Sequence, residues 1–204
     1  MIFFTSDTHY DHANVIRYSN RPFPDIEEMN ATLIANHNSI VKNGDTVYHL
    51  GDFCFSKTPM EFKRRLNGNM IHIKGNHDKA LEKAKIPMLH YHELRVEEFL
   101  VHGRPLKIVL FHYPIAVWNK KHYSSLHLHG HSHANYKYSF PQSKEHGRII
   151  DVGVDAVATA LGGGALNLED YRPVSLDEVL AWSQLLDNGP SLDHHSEEGR
   201  EREI

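Results

Sequence analysis

The sequence contains a single cysteine, no long apolar run and no excess of positive charge. Cys54 has no second cysteine with which to form an internal disulfide, which suits a reducing compartment such as the cytoplasm. No apolar run approaches the roughly 20 residues that a membrane-spanning helix needs, and residues 1–4 are too short for a signal peptide. The formal net charge of -4 argues against general electrostatic binding of nucleic acid or membranes, but it is compatible with a local basic pocket. We therefore expect a soluble cytoplasmic protein.

The chain is long enough for one domain with a sizeable core. Its 204 residues, 40% hydrophobic and 24% charged, have an ordinary globular composition. We predict a catalytic domain at residues 1–187, because from residue 188 the composition changes to glycine, proline, serine and charge. Residues 188–204 are predicted to form a mobile polar tail, and its His194 and His195 are more typical of a solvated tail than of a metal site.

Short apolar runs alternate with amphipathic stretches along the chain. The runs predict strands at residues 2–4, 46–50, 70–73, 94–101, 107–111, 126–129 and 148–152. Apolar spacing and end signals predict helices at residues 26–41, 59–66 and 175–186, the last with Ser175 as its N-cap. Strands that alternate with helices indicate a layered α/β domain.

Histidine is abundant, with 18 residues, and it is the commonest neutral metal ligand in proteins. A composition this rich in histidine also produces His-x-His pairs by chance. Four such pairs occur, at positions 90/92, 127/129, 129/131 and 131/133. Spacing alone therefore does not identify a site.

Position along the chain is more informative than histidine spacing. Five predicted strands are each followed by an acid, an amide or an imidazole. These residues are Asp7, His9, Asp52, Asn76, His77, His112, His131 and His133. The carboxyl ends of strands are where sites form in open α/β sheets, and glycines at positions 51, 75 and 130 allow close backbone approach. Polar residues that merely satisfy strand ends are the alternative, but they would not produce this register.

These residues fall in motifs that resemble a known family. Asp7-Thr8-His9, Gly51-Asp52, Gly75-Asn76-His77-Asp78, His112 and Gly130-His131-Ser132-His133 are similar to the five ordered motifs of the calcineurin-like metallophosphoesterases. The resemblance implies a four-layer αββα sandwich, and the opening at residues 7–14 resembles small bacterial and phage members. Phe53-Cys54-Phe55 replaces the Val-Asp-Arg-Gly of Ser/Thr protein phosphatases, so protein phosphatase activity is not expected.

The resemblance also implies how two divalent metal ions share their ligands. Metal one would take Asp7, His9, Asp52 and His133, and metal two would take Asp52, Asn76, His112 and His131. Asp52 would bridge the two ions, and a metal-bridging hydroxide would attack the phosphorus. His77 would protonate the leaving oxygen, with Asp78 as its orienting partner.

The ligand set narrows the choice of metal. Four imidazoles disfavour calcium and magnesium, which prefer oxygen ligands. Manganese and iron are favoured by the resemblance, with zinc, cobalt and nickel as alternatives. Because Asn76 is neutral, the centre would keep a positive surplus that attracts phosphate.

The sequence gives fewer signals for substrate-binding residues than for metal ligands. His12, Asn14, Arg17 and Arg21 follow the first motif and are candidates for binding substrate, the arginines by forking onto phosphate oxygens. Asp155 is a candidate hydrogen-bond partner of a ligand histidine. His127 and His129 compete with His131 and His133 for the ligand role, and only Gly130 and the family pattern select the latter pair.

The sequence thus predicts hydrolysis of phosphate esters, with nucleotides among the candidate substrates, and no membrane association. No segment is long enough for a cap domain, so an open cleft and a phosphodiester substrate are favoured over a monoester. A non-catalytic scaffold of the same fold is the alternative, although such scaffolds tend to lose ligands that are all present here. A structural metal site fits poorly, because such sites are closed and mononuclear. The oligomeric state stays open.

Overall fold

The computed structural model describes residues 1–163 and 165–190. In chain order the strands are β1 (Ile2–Thr5), β2 (Thr46–His49), β3 (Asn69–Ile73), β4 (Met88–Leu89), β5 (His92–Val101), β6 (Arg104–Leu110), β7 (Leu126–His129), β8 (Ile149–Asp151) and β9 (Val174–Ser175). The α-helices are α1 (Ala13–Tyr18), α2 (Ile26–Ile40), α3 (Pro59–Arg65), α4 (Lys79–Lys83), α5 (Val154–Leu161) and α6 (Leu176–Ser183), and short 3-10 turns lie at Lys121–Tyr123 and Leu168–Asp170. Most of the predicted tail, including His194 and His195, lies outside the described residues.

The strands form two sheets, which confirms the predicted α/β fold class. The first sheet has the order β4-β3-β2-β1-β9, in which only β9 is antiparallel to its neighbour. The second has the order β5-β6-β7-β8, in which β5 runs antiparallel to β6 and the other pairs are parallel. Parallel neighbours bring their carboxyl ends to one edge of each sheet, and this edge is where sites form.

The main core lies between the two sheets. Phe4 and Ile73 from the first sheet and Ile108 and Leu128 from the second belong to one buried apolar cluster. Helices α1 to α5 contribute to a second cluster, which also contains residues of the loops after β1 and β2. The outer face of the second sheet is covered more thinly, by a loop that places Trp118 against the sheet. The layer outside the second sheet is therefore the thinnest of the four layers, and within the described part of the chain it consists mostly of loop.

Local signals explain where the two well-predicted helices begin. Asp25 caps α2 by accepting the backbone N–H of Glu28 at 2.8 Å. Ser175 and Glu178 form a reciprocal capping box at the start of α6. Such caps stabilise a helix by about 1 kcal/mol. Helix α6 ends at Ser183, three residues before the predicted end, and three further helices, α1, α4 and α5, were not predicted.

The carboxyl ends of the two sheets meet at one place. A parallel bridge joins Ser6, directly after β1, to Gly153, directly after β8. The backbone N–H of Asp7 donates to the carbonyl of Gly51 at 3.0 Å, and that of Gly130 donates to the carbonyl of His112 at 3.0 Å. These bonds fix the loops that carry the predicted ligands. Over the described residues, no helix is both long and apolar enough to cross a membrane.

Candidate metal centre

Three predicted ligands from the first and last motif loops form what we call the first donor group. It consists of Asp7, His9 and His133, whose ligand atoms all lie within 4.8 Å of one another. The Oδ1 atom of Asp7 is 3.9 Å from the Nε2 atom of His9 and 3.9 Å from the Nε2 atom of His133. Donor atoms that share an ion at about 2.1 Å lie roughly 3 to 4 Å apart. The spacing therefore suits a single ion.

Three other predicted ligands form the second donor group. It consists of Asp52, His112 and His131, again with ligand atoms within 4.8 Å of one another. The amide oxygen of Asn76 lies 2.9 Å from Nε2 of His112 and 3.0 Å from Nδ1 of His131. Asn76 would thus supply the second group with a fourth ligand atom, its amide oxygen, without adding charge.

Asp52 lies between the two donor groups. Its Oδ2 atom is 3.6 Å from Nε2 of His9 and 3.7 Å from Nε2 of His112. Its other oxygen, Oδ1, accepts the backbone N–H of His77 at 2.8 Å. One oxygen of this carboxylate is therefore held by the chain while the other faces both groups.

The two carboxylate oxygens of Asp7 also have different surroundings, and the oxygen without a partner suits a cation. Its Oδ2 atom accepts the backbone N–H of His131 at 2.9 Å, whereas Oδ1 is buried and has no hydrogen-bond partner among the described residues. Burial raises the pKa of Asp7 to about 6 despite nearby histidines. A buried carboxylate that is costly to ionise alone is stabilised by a cation.

His9 presents an equally unusual donor. Both ring nitrogens are buried without a hydrogen-bond partner among the described residues. Burial and, to a smaller extent, Arg21 lower the pKa of His9, so the ring is neutral and one nitrogen keeps a lone pair. Neutral imidazole is the form that binds metal. His9 and Asp7 therefore fit a divalent ion better than they fit a hydrogen-bonded core.

The backbone at the predicted ligands is strained. Five of the seven have φ in the left-handed region, which residues with a β-carbon rarely adopt. They are Asp7 (56°), His9 (50°), Asp52 (57°), His131 (68°) and His133 (46°). Each such residue costs about 1–3 kcal/mol and persists where its surroundings enforce it, most often at functional sites.

Two glycines of the motifs permit close approach to the carboxylates. A β-carbon on Gly75 would collide with the carboxylate of Asp52. A β-carbon on Gly130 would collide with the side chains of Ser6 and Asp7. A side chain at either position would displace a ligand, so glycine is required there for steric reasons.

A buried ion pair supports the first donor group. Nδ1 of His133 lies 2.6 Å from Oδ2 of Asp155, as the sequence suggested for a ligand histidine. Arg21 donates to both oxygens of Asp155, from Nε at 2.8 Å and from Nη2 at 2.9 Å. Burial alone would raise the pKa of Asp155, but Arg21 and His133 together hold it below its usual value. With Nδ1–H donated to this carboxylate, Nε2 of His133 points its lone pair toward Asp7.

Arg21 is placed differently from its predicted contact with substrate phosphate. Its side chain is buried, and besides Asp155 it donates to the backbone carbonyls of Asp7 at 2.6 Å and Thr8 at 3.1 Å. The guanidinium is therefore occupied beneath the first motif loop. We correct its role to that of a residue that positions Asp155 and the loop.

The other predicted substrate residues lie near the opening of the centre. The ring centroid of His12 lies 5.4 Å from that of His9, and His12 stacks on Phe55 with the two ring centroids 3.9 Å apart. Asn14 and Arg17 are exposed on α1, and the Arg17 guanidinium lies 5.3 Å from the centre of the Tyr18 ring. Substrate contact by these three residues stays a prediction.

His77 and its neighbour Asp78 face different ways. The His77 ring is exposed and lies 5.8 Å from the ring of His9 and 5.1 Å from that of Phe55. The Asp78 carboxylate is buried and accepts the backbone N–H groups of Asp52, Phe53 and Gly75 at 2.7–2.9 Å. Asp78 therefore ties two ligand loops together, and the expectation that it orients His77 is corrected accordingly.

The structure separates the four histidines around β7. His127 and His129 are fully buried on the face of the strand that points away from the sheet interface. His127 is hydrogen-bonded to the carbonyls of Val109 and Tyr113, and Nε2 of His129 to the hydroxyl of Ser139 at 2.8 Å. Neither belongs to a donor group. Side-chain direction thus places His131 and His133, and not His127 and His129, beside the other predicted ligands.

Three residues at the centre were not identified from the sequence. Tyr113 packs edge-on against His112 and His131, at 4.8 and 4.7 Å between ring centroids. Phe55 forms one wall beside His77 and His12. Asp151 holds the last motif loop by accepting from Ser132 and from the backbone N–H of Ala134. Only Asp151 had a sequence signal, as an acid inside an apolar strand.

Comparison with known proteins places the same segment in a described family. A family model for a calcineurin-like phosphoesterase superfamily domain matches residues 1–152. The uncharacterised protein MJ1445 of Methanocaldococcus jannaschii is 36% identical over 183 residues, which span 88% of this chain and 89% of that one. The crystal structure of AQ665, a protein of unknown function from Aquifex aeolicus, has a TM-score of 0.63 and 25% identity, and the match covers 89% of this chain and 98% of that one. The family match contains both donor groups.

Proposed function

The chain belongs to the calcineurin-like phosphoesterase superfamily, as its motifs suggested, and from this premise we propose that it hydrolyses phosphodiesters at a dinuclear metal centre. At the level of the superfamily, the chemistry is metal-dependent hydrolysis of phosphate esters. The preference for diesters, the identity of the metals and the role of each residue are parts of our proposal. So are the extent of the catalytic domain, residues 1–187, and a cytoplasmic location.

The position of Asp52 is the observation that carries this proposal. Its Oδ2 atom lies within 3.7 Å of an imidazole nitrogen from each side, His9 on one and His112 on the other. A bridging carboxylate is how proteins hold two dications close together. In this scheme one ion is held by the first donor group with Asp52, and the other by the second donor group with Asn76.

The remaining chemistry is divided between the ions and the chain. When bound, the two ions would lower the pKa of water and offset negative charge on the phosphoryl oxygens. The chain fixes the ligand geometry through the backbone N–H groups that hold one oxygen each of Asp7 and Asp52. Because Asn76 is neutral, the ligands do not cancel the charge of the ions, and a phosphate anion is still attracted.

His77 is the proposed proton donor. It is exposed at the mouth of the centre, next to His9 but outside both donor groups. In the reaction a water molecule loses a proton to solvent and its oxygen forms a bond to phosphorus, the bond from phosphorus to the leaving oxygen breaks, and His77 gives a proton to that leaving oxygen. A positioned acid of this kind contributes roughly 10²- to 10⁴-fold to the rate.

The donor chemistry favours transition metals. Four imidazoles are present in the two groups, and imidazole suits manganese, iron, zinc, cobalt and nickel better than calcium or magnesium. We propose manganese or iron. Reconstitution of metal-free protein with each ion separately, followed by activity measurement, distinguishes among them.

The preference for diesters rests on an open site. Asn76, His77 and His131 are exposed, so the centre is accessible to a phosphate with substituents on both sides. The test compares bis-p-nitrophenyl phosphate with p-nitrophenyl phosphate, using manganese-loaded protein and an Asp52→Asn variant as the inactive control. A higher kcat/KM for the diester is expected. A higher value for the monoester would overturn the diester preference, and no turnover of either would overturn the proposed function.

A further inference from the structure

A cavity of about 440 Å³ opens beside the proposed proton donor. We call it the lysine cavity, and its walls include Phe55, Lys57, His77, Lys79 and Lys83. His77 belongs both to this cavity and to the mouth of the metal centre. A group that leaves on the side of His77 would therefore lie next to the lysine cavity.

Three lysines line this cavity, and Glu82 is the one acid on the helix that carries two of them. Lys57, Lys79 and Lys83 are all exposed. None of them forms an ion pair within 4.0 Å in the part of the chain that the structure describes, where Lys74 pairs with Glu82 and Lys107 with Glu93. The chain as a whole carries a net charge of -4, so this local surplus runs against its overall balance.

Two of the lysines are placed unfavourably for the helix that carries them. Lys79 and Lys83 are one turn apart on α4, a helix of five residues. Like charges at this spacing destabilise a helix by a few tenths of a kcal/mol. An anion bound between them would remove that repulsion, and Lys57 approaches the same space from the loop after β2.

Phe55 gives the cavity a rigid apolar wall. Its ring is 38% exposed and is held by stacking on His12, with an angle of 15° between the ring planes. The volume suits a group of nucleotide size, since small-molecule sites occupy roughly 300–1,000 Å³. Lysines beside a flat apolar wall match a group that is both anionic and partly apolar.

We propose that the natural leaving group carries a further phosphate, which the lysine cavity binds. This inference rests on the proposed function, because it takes His77 as the residue beside the leaving oxygen. A leaving group without charge would gain nothing from the three lysines. The further phosphate belongs either to the next nucleotide of an oligonucleotide or to a nucleoside diphosphate.

The test compares two substrates that differ by one phosphate-linked unit. Cleavage of TpT releases a leaving group without phosphate, whereas one of the two cleavages of TpTpT releases a leaving group that carries a phosphodiester. We expect manganese-loaded wild-type protein to show at least a tenfold higher kcat/KM for TpTpT than for TpT. Each of the variants Lys57→Ala and Lys83→Ala should lower this ratio by roughly fivefold, mainly through KM, and added salt should lower it further.

Matched controls separate the possible results. Lys144→Ala removes an exposed lysine elsewhere and should keep the wild-type ratio. A ratio near one in the wild-type protein, or a ratio unchanged in both cavity variants, would overturn the inference while leaving the proposed function intact. If TpT, TpTpT and bis-p-nitrophenyl phosphate were all inert, the proposed function would fail and the inference with it.

A comparison of ADP with TpTpT identifies which kind of substrate supplies the further phosphate. In the hydrolysis of ADP at its terminal phosphorus, AMP is the leaving group and carries the further phosphate. A higher kcat/KM for ADP than for TpTpT, with the same dependence on Lys57 and Lys83, would assign the natural substrate to the nucleoside diphosphates. The opposite order would assign it to an oligonucleotide. Both results support a phosphate-bearing leaving group.

Discussion

The first and second donor groups offer similar ligand atoms but differ in how they are buried and supported. Asp7 and His9 are buried, and behind them His133 is held by Asp155 and Arg21. In the second group His112 is buried, with Nδ1 against the carbonyl of Leu50 at 2.8 Å, but His131 is exposed. The first group is thus pre-organised and closed, whereas the second faces solvent and substrate.

This difference predicts different tasks for the two ions. An ion in the first group would be held tightly, because its ligands are fixed before it binds and because Oδ1 of Asp7 and the ring of His9 have no hydrogen-bond partner among the described residues. An ion in the second group would exchange more easily and would lie closer to substrate. Asp52 connects the two, so that loss of one ion weakens the other. The following experiments test this difference between the two donor groups, from the largest expected effect to the smallest.

The largest effect is expected from Asp52→Asn, which removes the shared negative charge. Both ions should be lost on dialysis, and kcat/KM for bis-p-nitrophenyl phosphate should fall by roughly 10²-fold or more. Elemental analysis and steady-state kinetics measure the two results, and circular dichroism verifies the fold. Retention of two ions by this variant would break the claim that Asp52 bridges them.

The next effect is expected from His77→Asn, which keeps the shape of the loop but removes the proposed acid. The rate constant kcat should fall by roughly 10²- to 10⁴-fold while both ions remain bound. Elemental analysis of the same preparation provides the control. Metal loss in parallel with activity would instead place His77 among the ligands.

Asp155→Asn tests the support of the first group alone. The amide keeps the shape of Asp155 but loses the charge that orients His133, so affinity for the first ion should fall roughly 10- to 100-fold. Titration with manganese, followed calorimetrically, should show one weakened and one unchanged site. Ser19→Ala, which removes a weaker contact to Nδ1 of His133 at 3.1 Å, is the matched control with a smaller change. Equal weakening of both sites would contradict the division into two groups.

The pH dependence of metal binding is a smaller test of the same contrast. In metal-free protein the pKa of Asp7 is raised to about 6 by burial, so a proton competes with the first ion below that pH. Affinity of the first site should therefore fall by about tenfold per pH unit below pH 6 and should be independent of this group above it. Calorimetric titration between pH 5 and pH 8 measures the slope. A slope that appears only above pH 6 would lie outside the range in which Asp7 takes up a proton and would contradict this assignment.

The ligands could be predicted from the sequence because each follows a strand at a sheet edge. Hydrophobic runs locate the strands, and the parallel pairing of β1, β2 and β3 then brings Asp7, Asp52 and Asn76 together. The same reasoning could not separate His127 and His129 from His131 and His133. That separation depends on the loop after β7, in which His131 and His133 adopt left-handed φ and leave the strand's alternation.

The surroundings of the ligands were harder to predict, because they depend on contacts between distant residues. Arg21 and Asp155 are 134 positions apart, and α5, which carries Asp155, is only eight residues long. The lysine cavity likewise combines the loop after β2 with α4. Basic residues in these segments look like ordinary surface charges until the fold brings them together.

The most direct test of a dinuclear centre is the metal content of the wild-type chain. Protein stripped with a chelator, reloaded with manganese and freed of excess ion by gel filtration should contain two manganese ions per chain by elemental analysis. Graded chelator should then remove one ion before the other, with the second donor group emptied first. A content that saturates at one ion per chain would contradict the account.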